Sequence, residues 1–130
     1  MSNIPDGLLY SEEHEYLKSA EEDGVYYVGV TDYAQGELGD IVFVETPAVG
    51  DSFGRNDVFG TVEAVKAVSD LYSPVAGEVV AVNGDLEADP SLINSDPYGA
   101  GWIIKLRVSD ASELDQLLGA AEYTGHIGEG

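Results

Sequence analysis

Cysteine is absent from the 130 residues. That removes disulfides, thiolate metal sites and a cysteine nucleophile together. Any dithiol chemistry would have to come from a group attached to the chain. Bases are nearly as scarce: five lysines and arginines face 25 acids, for a formal net charge of −20. Repulsion from phosphates on that scale argues against a nucleic-acid partner. No apolar run approaches the ~20 residues of a membrane span. The N-terminal stretch, Met1-Ser-Asn-Ile-Pro-Asp-Gly7, has neither the basic nor the apolar region of a secretory signal. A soluble, cytoplasmic protein is the expectation. Internal repeats and low-complexity blocks are not evident.

What is present points to a packed fold. High charge alone would suggest disorder, but 44% of the residues are hydrophobic and eight are tyrosine. A chain of this length is expected to form one domain, residues 1–130, around one real core. The acids have two compatible readings. They form a solvated surface suited to high salt, where screening relieves self-repulsion, or they steer the protein towards basic patches on partners. Their scatter along the chain, together with the depletion of lysine, favours the first.

Short β-branched runs separated by glycine turns predict a mainly β protein. Leu8 to Lys18 reads as an edge strand or extended arm, Val25 to Val30 as a strand, and Asp40 to Thr46 as the next. Thr31 is placed to cap a short helix ending at Gly39. Asp89-Pro90 is placed to start a helical turn, Asn94 to Gly101 reads as loop, and Trp102 to Val108 as a strand with Trp102 as a core anchor. Asp110 and Glu113 resemble a capping box. They open a C-terminal helix in which Leu114, Leu117 and Leu118 share a face and Gly119 is the C-cap. Residues from about 124 to 130 read as a frayed tail.

The chain is organised around Gly60 to Val82, which contains one of only three lysines. Lys66 stands between Val65 and Ala67, with Val62, Ala64 and Val68 close by. A buried ammonium is costly, so the lysine is expected at the tip of a stiff apolar hairpin. Val-Lys-Ala nevertheless lacks the Asn-Gly or Asp-Gly signal of a tight turn.

The pattern Val62-Glu63-x-Val65-Lys66-Ala67-x-Ser69-Asp70-x-Tyr72-Ser73-Pro74-x-x-Gly77-Glu78-Val79 resembles the lipoyl-lysine hairpin of the glycine cleavage system H proteins. His14-Glu15-Tyr16 is similar to the family's His-Glu-aromatic element. Val28 to Glu45 and Leu92 to Trp102 follow the family too, so the likeness runs over roughly residues 6 to 123 in the family's order. Two positions depart from the usual pattern: Tyr16 stands where tryptophan is common, and Glu13 where a small residue is.

The resemblance implies a flattened barrel-sandwich hybrid of two antiparallel sheets, with the lysine hairpin at one end and short helices around it. It also implies a non-catalytic, monomeric carrier with lipoate joined to Lys66 as an amide. Its partners would be a pyridoxal-phosphate glycine decarboxylase, a tetrahydrofolate-dependent aminomethyltransferase, a dihydrolipoyl dehydrogenase and the lipoate ligase or lipoyltransferase that attaches the arm. Glu15 and Asp70 would be the carboxylates of a cleft that shelters the aminomethyl-loaded arm, one of them taking its ammonium. His14 has two readings, a contact for the arm and a structural side chain. Glu63 is either a mark read by the lipoylating enzyme or a polar residue on a wet strand face. Gly77 would permit the turn that shapes the hairpin.

Other readings remain at this point: a relay that passes lipoate to other enzymes, a lipoyl domain of another complex, and a Schiff-base lysine enzyme. Biotin domains are disfavoured, because they flank their lysine with methionines. Asn83 to Asp89 alternates oxygen side chains, but lacks the glycine and closing glutamate of a calcium loop. It reads as a solvated acidic loop.

Overall fold

The computed structural model describes residues 3–128. Its strands are β1 (Leu9–Tyr10), β2 (Glu15–Ser19), β3 (Val25–Val30), β4 (Ile41–Glu45), β5 (Ser52–Phe53), β6 (Val58–Ala64), β7 (Val68–Tyr72), β8 (Gly77–Val82) and β9 (Ile104–Val108). Four short α-helices join them: α1 (Asp32–Leu38), α2 (Asp85–Ala88), α3 (Leu92–Ser95) and α4 (Ala120–Ile127). A 3-10 segment, Ala111–Gln116, precedes α4. The strands form two antiparallel sheets, one ordered β1-β2-β3-β9-β8-β5 and a smaller one ordered β4-β6-β7.

The core lies between the sheets, where alternation along each strand turns one side chain in two inward. Leu17, Val28, Ile104, Leu106 and Val79 come from the large sheet; Ile41, Val62 and Leu71 come from the small one. A second cluster of Tyr10, Tyr16 and Tyr123 joins the large sheet to α4. The rings of Tyr10 and Tyr123 stack with centroids 4.8 Å apart. In β4 the register slips between Ile41 and Phe43. Such a bulge breaks the alternation, which is how two successive apolar side chains, Val42 and Phe43, both face solvent.

The expected Thr31 cap is present: its hydroxyl accepts from Ala34 N, and Gly39 ends α1 at φ 84°. The C-terminal part of the chain departs from expectation. Asp110 caps through Ser112 rather than in a box with Glu113, because the Glu113 carboxylate accepts from Ala76 N at 2.7 Å. Helix is lost at Leu117, since the three leucines serve different clusters. Leu114 and Leu117 pack on the main core, while Leu118 pairs with Tyr10 and packs with the tyrosines. Gly119 is the N-cap of α4 instead of a C-cap. The tail expected to fray from residue 124 is helical through Ile127, anchored by buried Tyr123. Residues 129 and 130 of that tail lie outside the described residues.

Other differences are local. Part of the expected loop from Asn94 is α3. Strand pairing in β9 begins at Ile104, and Trp102 is a half-buried surface ring, not a core anchor: it meets Tyr27 edge-on with Lys105 Nζ over its face. Asn83 is buried and bonded, not solvated. Its Nδ2 donates to the carbonyls of Ala100 and Trp102 at 2.8 and 2.7 Å. Gly77 is required by close approach rather than by a turn. It opens β8 opposite Val108, and a Cβ there would stand 2.5 Å from the Arg107 carbonyl oxygen.

Candidate functional site

Lys66 lies between β6 and β7 and is exposed. Ala64 N donates to Ala67 O at 2.7 Å, so Val65 and Lys66 alone make the turn. Neither has positive φ. The turn is therefore outside the primed types that demand Asn-Gly, which explains why that signal is missing from the sequence. Support comes from the loop between α1 and β4. Val65 N donates to Asp40 O at 3.0 Å, and the lysine stem passes over Gly39, where an added Cβ would lie 3.1 Å from Lys66 Cε. Asn94 of α3 holds that loop from behind. Its Nδ2 donates to Gly39 O and Gln35 Oε1, and its Oδ1 accepts from Ile41 N. No local pattern marks Asn94 as a clamp, because its partners lie more than 50 residues away.

Beside the hairpin is a cleft of about 240 Å³. Its walls are Glu13 and His14 from the turn before β2, Tyr33, Glu37 and Leu38 from α1, and Ser69 and Asp70 from β7. Glu15 lies within it. The titratable lining consists of the carboxyls of Glu13, Glu15, Glu37 and Asp70 together with His14 and Tyr33. No lysine or arginine lines it. Such a cleft selects for a cation.

The structure thus brings Glu15, Asp70 and His14 together, as expected, but places them very differently. Glu15 is 2% exposed. Its Oε1 accepts from the Ser11 hydroxyl at 2.7 Å and its Oε2 from Tyr72 N at 3.2 Å. Burial pushes its carboxyl up to about 8, against an ordinary value of 4.5, and the hydrogen bonds only partly oppose this. Asp70 stands on the exposed rim. His14 adopts φ 75°, uncommon for a side chain with a Cβ. Its Nδ1 lies 2.8 Å from the Tyr123 hydroxyl, which is also 2.8 Å from Thr31 Oγ1. Burial, then the nearby His126, holds His14 below its usual value. His14 is consequently both a cleft wall and the joint that seats α4. Tyr123 is the residue that sequence reasoning missed; a polar-looking tail gave no hint that α4 would back the cleft.

The two sequence departures separate cleanly. Glu13 lines the cleft. Tyr16 follows Glu15 in β2 and so points to the face opposite the cleft, where its ring fills the space over Gly29 and its hydroxyl donates to Pro97 O. Glu63 faces solvent on the outer side of the small sheet, between Phe43 and Val68 in register. It does not reach the cleft lining.

Comparison with known proteins gives one consistent answer. Residues 8–129 match the family model described as glycine cleavage H-protein. The glycine cleavage system H protein of Chlorobaculum parvum is 53% identical over 127 residues, covering 98% of this chain and 99% of that one. That of Symbiobacterium thermophilum is 53% identical over 130 residues, covering all of both. The crystal structure of a glycine cleavage system H protein from Mycobacterium marinum superposes with a TM-score of 0.86 at 40% identity, covering 96% of this chain and 99% of that one.

Proposed function

Since the chain belongs to the glycine cleavage H-protein family, we propose that Lys66 is its lipoylated residue and the cleft beside it the shelter for the loaded arm. The protein is a non-catalytic carrier that takes the aminomethyl group of glycine from the decarboxylase to the aminomethyltransferase, and its third partner is dihydrolipoyl dehydrogenase. The lipoyl group supplies the disulfide that accepts and releases the one-carbon unit. The carrying observation is an exposed lysine on a two-residue tip next to a cleft lined by four carboxyls. The residues fit the group. The amine is open to acylation, and amide formation removes a charge from a site with no partner to lose. Exposure also argues against a Schiff-base enzyme, whose lysine needs an apolar enclosure.

Within the cleft, Glu15 is the residue we assign to an incoming ammonium. An ionised Glu15 in an empty cleft would be a buried, uncompensated charge. Its raised value keeps it largely neutral there at neutral pH. An arriving ammonium reverses the balance: Glu15 releases its proton and a shielded, charge-assisted pair forms. Asp70, on the wet rim, contributes less because water screens it. The test is the lifetime of protein charged from glycine, followed as formaldehyde release without the transferase. A shielded pair of this kind is worth roughly 1.5–3 kcal/mol, so Glu15→Ala should speed release about tenfold or more, and Asp70→Ala much less. Equal rates in wild type and both variants would return these carboxyls to the ordinary surface.

We further place the protein in the cytoplasm and assign its acidic surface to a high-salt setting. No helix among the described residues is long and apolar enough to cross a membrane. Only two ion pairs occur among the described residues, Lys105–Glu21 and Arg107–Glu22, so most of the 25 acids repel one another unanswered. The Debye length shrinks from about 10 Å at 0.1 M salt to about 3 Å at 1 M. The thermal midpoint should therefore rise from low to molar sodium chloride. A level or falling midpoint would remove the salt-adapted reading.

A further inference from the structure

The walls of the cleft come from different parts of the chain, and one buried hydroxyl reaches both. Glu13 and His14 belong to one wall; Tyr33, Glu37 and Leu38 of α1 belong to the other. Pairing of β2 with β3 ends where Glu15 lies opposite Val30. The next residues outward, His14 and Thr31, therefore stand side by side, and Thr31 N donates to His14 O at 3.0 Å. Thr31 is also the N-cap of α1. The backbones of the two walls are thus fixed by the sheet. The His14 ring is not, because its side-chain torsions turn freely among their wells unless something holds them. The Tyr123 hydroxyl supplies that hold. It lies 2.8 Å from His14 Nδ1 and 2.8 Å from Thr31 Oγ1, and both Tyr123 and Thr31 are buried.

We propose that Tyr123 is a positioning residue for the loaded arm: its hydroxyl, anchored on Thr31, locks the His14 ring as a wall of the cleft and so lengthens the time the arm stays sheltered. The proposal rests on the cleft being the arm's shelter. The link forms with either tautomer of the neutral ring. A bare Nδ1 accepts from the phenol, which then accepts from the Thr31 hydroxyl; an Nδ1–H donates to the phenol, which then donates to Thr31 Oγ1. Burial raises the phenol's pKa, so its proton stays in place. His14 meets Tyr33 of the facing wall with ring centroids 5.2 Å apart, so a turn of the imidazole changes the gap between the walls directly. A wall fixed before the arm arrives costs no ordering when it does, and it keeps water from the aminomethyl carbon. The hydroxyl serves the cleft more than the helix, because α4 has other anchors. The rings of Tyr10 and Tyr123 stack, Leu118 and Tyr10 exchange two backbone hydrogen bonds at 2.8 Å, and Ile127 packs in the same cluster. Phenylalanine at 123 would keep all of these.

The experiment uses the full-length, lipoylated protein charged from glycine by the decarboxylase. Formaldehyde release is followed at neutral pH without the transferase for wild type, Tyr123→Phe, His14→Gly, the two combined, and Ile127→Ala. His14 adopts φ 75°, a conformation at which glycine is at ease, so His14→Gly removes the ring without straining the turn. Tyr123→Phe should speed release about three- to tenfold, the scale of one hydrogen bond. His14→Gly should speed it at least as much. Adding Tyr123→Phe to His14→Gly should change nothing further, since the hydroxyl then has no ring to hold. Ile127→Ala loosens α4 through packing alone; it should lower the thermal midpoint and leave release near the wild-type rate. A second readout needs no lipoate. In nitrogen NMR of the unlipoylated protein, Tyr123→Phe should move the His14 Nδ1 resonance, and Ile127→Ala should not.

Release at the wild-type rate in Tyr123→Phe overturns the positioning role. A further acceleration when Tyr123→Phe is added to His14→Gly also overturns it, by placing the effect elsewhere than the ring. Equal acceleration in Ile127→Ala would make the effect a matter of helix seating and overturn it too. An unmoved His14 resonance in Tyr123→Phe overturns the link itself. Charged wild-type protein that decays as fast in the native state as in urea overturns the shelter reading instead. The His14 resonance depends on no arm, so the two failures are told apart.

Discussion

Replacement of Lys66 by arginine should abolish carriage altogether. Arginine keeps the positive charge and a similar length, yet its guanidinium remains protonated and forms no lipoyl amide. The tip is exposed and its turn is closed by backbone, so folding should be untouched. Intact mass after incubation with a lipoate ligase should rise by one lipoyl group for wild type and not at all for K66R, and glycine-dependent loading of the variant should be undetectable. The other two lysines provide the control. Lys18 Nζ donates to Tyr98 O at 3.0 Å, and Lys105 pairs with Glu21 and lies over the rings of Tyr27 and Trp102. Both lie within strands of the large sheet, not in the turn that joins two strands. K18R and K105R should be lipoylated like wild type. A lipoyl group found on Lys18 or Lys105, or a K66R protein that still gains mass, would refute the assignment.

The second large effect lies in the pH dependence of stability. Glu15 holds its proton more tightly in the fold, to about 8, than at the ordinary value of 4.5 expected once unfolded. Between those values the folded state binds more protons than the unfolded one, so stability falls as pH rises. The contribution is fully present below 4.5 and is lost by the time pH has passed 8. Each pH unit inside the window removes up to about 1.4 kcal/mol, so the whole window is worth on the order of several kcal/mol. His14, held below its usual value, acts with the opposite sign: its contribution is present above the unfolded value and is lost as pH falls. Comparing wild type with Glu15→Gln cancels His14 and the many surface acids. Glutamine imitates the neutral acid, with Oε1 accepting from Tyr72 N and Nε2 donating to Ser11 Oγ. Urea unfolding should give similar stabilities near pH 5, and a variant more stable by several kcal/mol at pH 9. A constant difference across that range would mean that Glu15 does not carry its proton in the fold. The same substitution should weaken retention of the charged arm, since glutamine cannot become an anion.

Together these expectations describe a carrier whose shelter is built around a switchable charge. A permanently ionised floor would be destabilising whenever the arm is elsewhere. A permanently neutral one would offer an ammonium only a weak hydrogen bond. Burial of Glu15, with two donors already in place, gives a carboxyl that is neutral in the empty cleft and ionises when a cation arrives.

How much of this the sequence determined follows from the range of the forces involved. The hairpin was legible because its causes are local: β-branched residues on both flanks, and a lone lysine that the core could not accept. The Thr31 cap and the Gly39 stop were legible for the same reason, each acting within one helical turn. The family motifs carried the lipoyl-lysine reading and named the cleft residues. What the sequence could not determine is whatever depends on segments that meet only in the fold. Glu15 looks like one acid among 25 until Tyr72, 57 residues away, closes over it and burial raises its proton affinity. Tyr123 looks like the start of a loose tail until it meets His14, 109 residues away. Gly119 looks like a helix stop, because 3.6-residue spacing cannot tell that Leu117 and Leu118 leave for different clusters. Spacing and propensity act over a few residues, and they decided where strands and turns fall. Burial and proton affinity depend on what covers a side chain, and only the tertiary structure decided that.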